Sequence, residues 1–300
     1  MKSLIAIPCY NEERTIGSVI LKAKQYADTI LVVDDGSKDS TKRIAEAAGA
    51  KVIHHKKNFG YGKAIQSSFQ FAKKHNYDIM TIIDGDGQHN ADDIPKLMRP
   101  VIEDKVDITI GCRFNGKKVE NVPAYRKFGI NIINVLSNFG NRNKDSKIKD
   151  SQSGFRTYSK KAIDLLYPTE DDMGASTELI FQARDHKLRF FEEPIICSYD
   201  GDTSTKNPFS HGIGVVASII RYMELKHSLL FFGLPGFILT IIGLISGFWL
   251  YTVYESVGYI PFGPAILITL TLVIGFLLGM TGLILHAIIN ANNYFYKSNI

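Results

Sequence analysis

The chain has 300 residues, of which 45% are hydrophobic and 22% are charged, and its formal net charge is +5. The last 72 residues, from Leu229 to Ile300, contain only one basic residue, Lys297, and one acidic residue, Glu255. This asymmetry excludes a wholly soluble chain, because the tail has apolar stretches long enough to cross a bilayer. In the residues before Leu229, apolar runs alternate with polar turns, which excludes a disordered protein. The positive charge is small and dispersed along the chain, which excludes a nucleic-acid-binding surface.

Strand and helix patterns alternate through the first part of the chain. Short apolar runs predict buried strands at residues 3–7, 30–33, 52–54, 79–83 and 106–110. Amphipathic patterns between them predict helices after Asn11, up to about Ala48, and over residues 62–75 and 93–103. Such alternation predicts an α/β fold with a mostly parallel, Rossmann-like sheet and helices on both faces.

The patterns change after residue 120. We expect an amphipathic helix over 123–139, strands at 154–158 and 189–197, and a helix over 177–186 between these strands. Residues 200–212 lack periodicity, as is common in lids and binding loops. Residues 213–228 predict an amphipathic helix that lies in a membrane interface.

Two stretches near the end predict transmembrane helices, at 229–251 and 262–289, because each exceeds the roughly 20 residues that span a bilayer. The outer ends of the two stretches are flanked by the basic residues Arg221, Lys226 and Lys297, whereas the joining loop contains Glu255 and no basic residue. Because basic residues favour the cytoplasmic side of a membrane, the flanks and the large domain are expected in the cytoplasm. The predicted parts are a catalytic domain (1–212), the interfacial helix (213–228) and the hairpin (229–300). Glycines spaced four apart in both spans leave open a homo-oligomer formed through them.

Polar side chains follow three of the predicted strands where each strand ends. They are Tyr10 to Glu12, Asp34 with Asp35, and Asp84 with Asp86. In parallel α/β sheets, ligands bind at the carboxyl ends of the strands. The sequence therefore predicts one binding site at this edge.

Asp84 and Asp86 lie on the same side of an extended chain. They can share a hard divalent cation, Mg²⁺ or Mn²⁺, with Gln88 as a further oxygen donor. The alternative is a simple turn, since Asp-Gly pairs favour turns.

Two other segments suit a nucleotide. The Asp35 carboxylate can accept the ring N–H of uracil or the N–H groups of guanine. Residues 37–41 are better explained by a turn and a helix cap. Residues 58–63 resemble a glycine-rich phosphate cradle that ends in Lys63, but they lack the full spacing of the nucleotide-hydrolase loop. The histidines, His89 included, show no ligand spacing and are interpreted as solvated or core residues.

Four motifs in this order resemble the GT-A glycosyltransferases of family 2, and within them the dolichyl-phosphate (polyprenyl-phosphate) sugar synthases. The motifs are residues 6–13 (AIPCYNEE), 33–37 (VDDGS), 84–88 (DGDGQ) and 153–156 (SGFR). The resemblance covers about residues 3–215, and members of the group share the two-helix anchor.

The resemblance implies roles for particular residues. The nucleotide sugar would be held by Pro8, Tyr10, Asn11, Glu12, Asp35, Lys63, Asp84, Gly85, Asp86, Glu178 and Lys206, the last on a loop that closes over the donor. The metal on the diphosphate would be held by Asp84, Asp86 and Gln88. The acceptor phosphate would meet Arg113 and either Arg126 or Lys127, so Asp84, Asp86, Arg113 and Arg126 are the expected catalytic residues. Glu178 is the one acid considered as a base, and a sugar contact or a structural role is preferred for it.

A phosphate acceptor also follows from chemistry. A sugar hydroxyl must lose a proton as it attacks, whereas a phosphate monoester is already an anion and needs positive charge around it. Together with the resemblance, this predicts a metal-dependent, inverting transfer from a nucleotide sugar, preferably a UDP-sugar, to dolichyl or polyprenyl phosphate at the cytoplasmic membrane face. The alternatives are transfer to a lipid-linked sugar or diacylglycerol, a GDP-mannose-dependent dolichyl-phosphate mannose synthase, and a non-catalytic nucleotide-sugar-binding scaffold.

Overall fold

The computed structural model describes residues 1–113, 148, 150–151, 153–171, 174–195, 197 and 228–298, with side chains up to residue 288. The chain divides into two units, Met1–Ile219 and Ile220–Ile300. The predicted helix at 123–139, the interfacial helix before Ser228, and the predicted site residues Arg126, Lys127 and Lys206 lie outside the described residues.

The first unit is built on one mixed sheet with the strand order β3-β2-β1-β4-β6-β5-β7. Its strands are β1 (Ser3–Cys9), β2 (Thr29–Asp34), β3 (Lys51–His54), β4 (Ile79–Ile82), β5 (Ile108–Cys112), β6 (Arg156–Ser159) and β7 (Phe190–Pro194). All neighbours pair in parallel except β6, which runs antiparallel to both β4 and β5. The predicted α/β class with a mostly parallel sheet is confirmed.

Helices cover both faces of this sheet, as the alternation of side chains in β1 requires. Leu4 belongs to a hydrophobic core on one face, which includes Phe69, and Ile5 belongs to the core on the other face, which includes Leu97. The helices are α1 (Ile16–Ala23), α2 (Thr41–Ala47), α3 (Tyr61–Lys74), α4 (Ile94–Ile102), α5 (Lys160–Leu165) and α6 (Ala175–Asp185). Helix α5 was not predicted, because six residues are too few to show a helical period; Ser159 caps it by accepting a hydrogen bond from the Ala162 amide at 3.2 Å.

The reversed direction of β6 matters for the site. Arg156, at the start of β6, is paired with Ile82, at the end of β4. The residues that precede β6, Ser153 to Phe155, therefore lie at the same edge of the sheet as the residues that follow β4. An all-parallel sheet would have placed them at the opposite edge.

The described part of the second unit, residues 228–298, is a helical hairpin. One π-helical turn (Leu229–Gly233) leads into α7 (Leu234–Val257), and α8 follows (Phe262–Ser298). Two segments, Leu229–Val257 and Phe262–Ile288, each have a mean hydropathy of 2.3 and are long and apolar enough to cross a membrane. The helices pack closely, since a Cβ atom on Gly236 would lie 2.7 Å from the carbonyl oxygen of Gly275. Large apolar side chains such as Phe248 and Phe276 remain exposed on the outside, as lipid-facing side chains do.

Candidate active site

The carboxyl ends of β1, β2 and β4 are joined by backbone hydrogen bonds. The Asp35 amide donates to the Cys9 carbonyl at 2.9 Å, and the Gly85 amide donates to the Pro8 carbonyl at 3.3 Å. The Thr15 hydroxyl donates to the Gly85 carbonyl at 2.7 Å. The three polar clusters predicted from the strand ends therefore belong to one edge of the sheet.

Asp84 is held at this edge from several sides. The Tyr61 hydroxyl donates to its Oδ1 at 3.2 Å, and Nε2 of His89 lies 3.5 Å from its Oδ2. Gly154 packs against the same carboxylate, with an ideal Cβ position only 2.7 Å from Oδ1. Any side chain at position 154 would collide with Asp84, so the antiparallel β6 contributes the glycine that makes room for this carboxylate.

Two acids of the site, Asp86 and Glu12, have raised pKa values. Burial and the nearby charge of Asp84 raise the pKa of Asp86 above its usual range. Burial and the charge of Asp86 raise the pKa of Glu12 to about 7. Like charges are thus gathered here, and although the imidazole of His89 beside Asp84 offsets part of the repulsion, a bound cation would relieve more of it.

The donor chemistry of these acids fits a hard divalent ion. Asp84, Asp86 and Glu12 offer only carboxylate oxygens, the ligands that Mg²⁺ and Mn²⁺ prefer. Among the described residues, no group of three or more His, Cys, Asp and Glu side chains is arranged to hold a metal alone. An ion here would therefore take part of its shell from water or substrate phosphates, as Mg²⁺ usually does. The backbone amide of Gln88 donates a hydrogen bond to Asp86 Oδ1 at 2.9 Å.

Asn11 and Asp35 organise the loops around the expected nucleoside position. Asn11 adopts a left-handed conformation with φ 56°; its amide donates to the Ser37 hydroxyl at 2.8 Å. The buried Asp35 carboxylate lies 2.7 Å from Nδ1 of His55 and accepts a hydrogen bond from the Gly60 amide at 2.8 Å. Asp35 therefore fixes the loop that begins α3, and its role toward a base stays a prediction. Pro8 is buried in β1, and Tyr10 follows it half-buried.

Lys63, in the first turn of α3, is joined to a segment that the sequence analysis did not single out. Its Nζ donates to Gln66 Oε1 at 2.9 Å, and its amide donates to the Asp171 carbonyl at 3.1 Å. The Gln66 side chain in turn donates to the Asp171 carboxylate at 3.2 Å. The exposed acid Asp171 is thus brought to the start of α3. The run of acids at 170–172 was the available signal.

Glu178 has a structural role in the described part of the site. Its Oε2 accepts hydrogen bonds from the amides of Thr169 and Glu170 at 2.9 and 3.0 Å, and Gln182 donates to Oε1 at 3.0 Å. The buried carboxylate therefore supports the segment that leads to Asp171. Whether Glu178 also contacts the donor sugar stays a prediction.

Arg113 makes a bidentate ion pair with Asp150. Nε and Nη2 of Arg113 each lie 2.8 Å from a different oxygen of the Asp150 carboxylate, which is fully buried. This geometry is strong and directional. The guanidinium is therefore engaged inside the protein, and its contact with an acceptor phosphate stays a prediction.

Arg156, the last residue of the SGFR motif, is buried and structural. Its guanidinium donates to the carbonyls of Ser151, Ser153 and Ser176, each at 2.8 Å. It thereby fastens the residues before β6 to the start of α6. This explains physically why an arginine follows the glycine that borders Asp84.

His89 was interpreted as a solvated or core residue, and the structure shows a more specific environment. Besides its approach to Asp84, its Nδ1 lies 3.2 Å from Sγ of Cys197. Burial opposes the charged form, but the hydrogen bonds to Asp84 and Cys197 outweigh it and raise the pKa of His89 to about 10. No spacing in the sequence indicates these contacts.

The first part of the chain is similar to known proteins. A model of "Glycosyl transferase family 2" matches residues 4–166. A UDP-N-acetylglucosamine–dolichyl-phosphate N-acetylglucosaminyltransferase of Methanococcus voltae is 32% identical over 222 residues, covering 65% of this chain and 85% of the relative. An undecaprenyl-phosphate mannosyltransferase of Micrococcus luteus is 29% identical over 206 residues, covering 65% and 83%.

Solved structures show the same fold. Glucosyl-3-phosphoglycerate synthase from Mycobacterium tuberculosis, in complex with Mn²⁺, UDP and glucosyl-3-phosphoglycerate, superposes with a TM-score of 0.56 at 20% identity, covering 73% of this chain and 79% of that one. The family model spans more than half of the chain and includes the strand ends that carry Glu12, Asp35, Asp84 and Asp86. The chain belongs to glycosyl transferase family 2.

Proposed function

We propose that this glycosyltransferase moves a hexose or N-acetylhexosamine, with inversion, from a nucleotide sugar to dolichyl or polyprenyl phosphate at the cytoplasmic face of a membrane. The observation that carries the proposal is the group of mutually repelling carboxylates, Glu12, Asp84 and Asp86, at the carboxyl edge of the sheet. The same chain has two helices long and apolar enough to cross a membrane.

The carboxylates support a nucleotide-sugar donor, because they could hold a cation that binds its diphosphate. A nucleotide diphosphate is an anion and would be repelled by three acids unless a cation lay between them. Mg²⁺ or Mn²⁺ at Asp84 and Asp86, with Gln88 nearby, would supply positive charge to the departing diphosphate. Tyr61 and His89 contact the Asp84 carboxylate, while Asn11 and Asp35 order the loops expected around the nucleoside. Lys63 and Lys206 complete the proposed donor site.

The acceptor is argued from charge and from the membrane. A phosphate monoester needs no base to become a nucleophile, so positive side chains suffice on its side. Arg113, Arg126 and Lys127 are the proposed contacts. The hairpin would keep the enzyme at the membrane, so that a lipid acceptor reaches the site without its tail entering water.

The family relatives support the substrate classes and leave the sugar to be measured. The M. voltae relative is named for UDP-N-acetylglucosamine and dolichyl phosphate, which supports a UDP-sugar donor. The M. luteus relative is named as a mannosyltransferase, which makes mannose the second candidate. A screen of UDP-glucose, UDP-N-acetylglucosamine and GDP-mannose against one acceptor decides between them.

The test is transfer by the full chain in nanodiscs, from labelled nucleotide sugar to short-chain polyprenyl phosphate with Mn²⁺. We expect a lipid product that releases its label in mild acid. Asp86→Ala should abolish transfer, whereas Asp164→Asn, which changes an exposed acid of α5 at 3.8 Å from Lys160, should not.

Two results would contradict the proposal. An acid-stable product would identify the acceptor as a lipid-linked sugar or diacylglycerol. No turnover with any donor, together with unchanged nucleotide affinity in Asp86→Ala, would favour a nucleotide-sugar-binding scaffold.

A further inference from the structure

His89 lies between the proposed cation site and the chain that follows β7. Its imidazole approaches Asp84 Oδ2 at 3.5 Å through Nε2 and Cys197 Sγ at 3.2 Å through Nδ1. The side chain is only 6% exposed, and its ring centroid lies 5.2 Å from that of Phe155. Both ring nitrogens are therefore engaged, and the ring has little freedom to turn.

A backbone contact reinforces this connection. His89 and Cys197 form an isolated antiparallel bridge. Cys197 lies just beyond β7, whose pairing with β5 is continued by a hydrogen bond from the Ile195 amide to the Cys112 carbonyl at 3.1 Å. The chain after β7 is thus fastened to the loop after β4 by both backbone and side chain.

We propose that His89 is a positioning residue that couples the Asp84 carboxylate to the chain at Cys197, so that cation binding and the placement of Cys197 depend on each other. The inference rests on the proposed function in one respect, namely that Asp84 helps to hold the cation. It adds a residue to that site and gives the site a connection to the segment beyond β7.

The contacts of Asp84 explain why this coupling works. One oxygen is held by Tyr61 and the other faces His89, while Gly154 closes the space behind. Without His89, Oδ2 has no described partner at that side and the carboxylate can turn away from its binding orientation. Groups that orient a metal ligand in this way typically change metal affinity by about 10- to 100-fold when they are removed. Coupling between two sites is reciprocal, so a cation on Asp84 must also steady Cys197.

The test uses two readouts on the full chain in detergent, neither of which requires turnover. Mn²⁺ affinity is measured by electron paramagnetic resonance, with and without UDP. The alkylation rate of Cys197 is measured at constant pH by mass spectrometry. Cys9 and Cys112 are buried, so they serve as internal controls for unfolding.

We expect His89→Ala to weaken Mn²⁺ binding by about tenfold. Mn²⁺ alone should slow the alkylation of Cys197 in the wild type and have no effect on it in His89→Ala. His89→Gln, whose amide can still reach toward Asp84, should recover part of the affinity without restoring the Mn²⁺ effect on Cys197. The matched control is His54→Ala, because His54 makes a similar contact with another acid, Asp34, at 2.8 Å.

The outcomes separate this inference from the proposed function. If Asp86→Ala loses Mn²⁺ but His89→Ala binds it like the wild type, or if Mn²⁺ leaves Cys197 alkylation unchanged in the wild type, the coupling is overturned and the proposed function stands. If the wild type binds no Mn²⁺ even with UDP, the proposed metal site fails and the coupling fails with it. If His89→Ala does not fold, shown by alkylation of Cys9 and Cys112, the loss of the Mn²⁺ effect on Cys197 is tested in His89→Gln instead, and an effect as large as in the wild type overturns the coupling.

Discussion

A Cβ atom on Gly154 would lie 2.7 Å from Oδ1 of Asp84 and 2.8 Å from the hydroxyl of Tyr61. Gly154→Ala should therefore push the Asp84 carboxylate out of place. We expect at least a tenfold loss of Mn²⁺ affinity, about 1.4 kcal/mol, with the fold retained. Isothermal titration calorimetry with Mn²⁺ measures this affinity. Gly263→Ala is the control, since nothing lies within 4 Å of its Cβ position; equal affinities in the two variants would contradict the role of Gly154.

Glu12 makes the stability of the metal-free protein depend on pH. Its pKa is raised from 4.5 to about 7, so between these values the folded protein binds a proton that the unfolded chain has released. The free energy of unfolding must then fall as pH rises from about 4.5 to about 7. Glu12→Gln should reduce this fall by about 1 kcal/mol, as expected for a partly exposed group, and the remainder belongs to Asp86, whose pKa is also raised.

The measurement is Tm against pH in the presence of chelator, for the wild type, Glu12→Gln and the exposed control Glu46→Gln. Above pH 7, Mn²⁺ should raise the Tm of the wild type, because it binds only the folded state. Parallel curves for the wild type and Glu12→Gln over pH 4.5 to 7 would show that Glu12 is not the titrating group.

Variants of the Arg113–Asp150 ion pair can distinguish a structural role of Arg113 from a role in binding the acceptor. Arg113→Ala leaves a fully buried carboxylate without its cation, which should cost about 3–5 kcal/mol of unfolding free energy. Arg113→Ala with Asp150→Asn should recover part of this loss, because no buried charge then remains. Denaturant unfolding measures both.

Kinetics of the double variant test the acceptor role. If Arg113 also binds the acceptor phosphate, the double variant should show a raised KM for polyprenyl phosphate with an unchanged KM for the donor. An unchanged acceptor KM would leave Arg113 with its structural role alone.

Close packing of α7 on α8 should make Gly236 sensitive to the smallest substitution. Gly236→Ala places a methyl group 2.7 Å from the Gly275 carbonyl oxygen, and overpacking of this kind costs about 1–3 kcal/mol. Thermal unfolding in detergent should show a lower Tm. Gly247→Ala, whose nearest contact is 3.9 Å away, should leave the Tm unchanged, and an equal effect of both substitutions would argue against close packing at Gly236.

Local patterns in the sequence were enough to predict the strands, most helices and the two apolar spans. Burial of β1 between two cores follows from its unbroken apolar run, and the acids at 84 and 86 were found because they end such a run. Helix α7 extends to Val257, past the predicted end at 251, because residues 252–257 contain no proline or glycine to break it, and the helix ends before Gly258, which has φ 79°.

The sequence by itself determined the α/β class, the edge of the sheet where the acids gather and the hairpin, because strand length, helical period and apolar length are local properties of the chain. Only the tertiary structure decided the direction of β6 and the pairing of Arg113 with Asp150, 37 residues away. It also decided the contact of His89 with Cys197, which lies 108 residues further along. Such contacts depend on how distant segments pair, and no local periodicity records that.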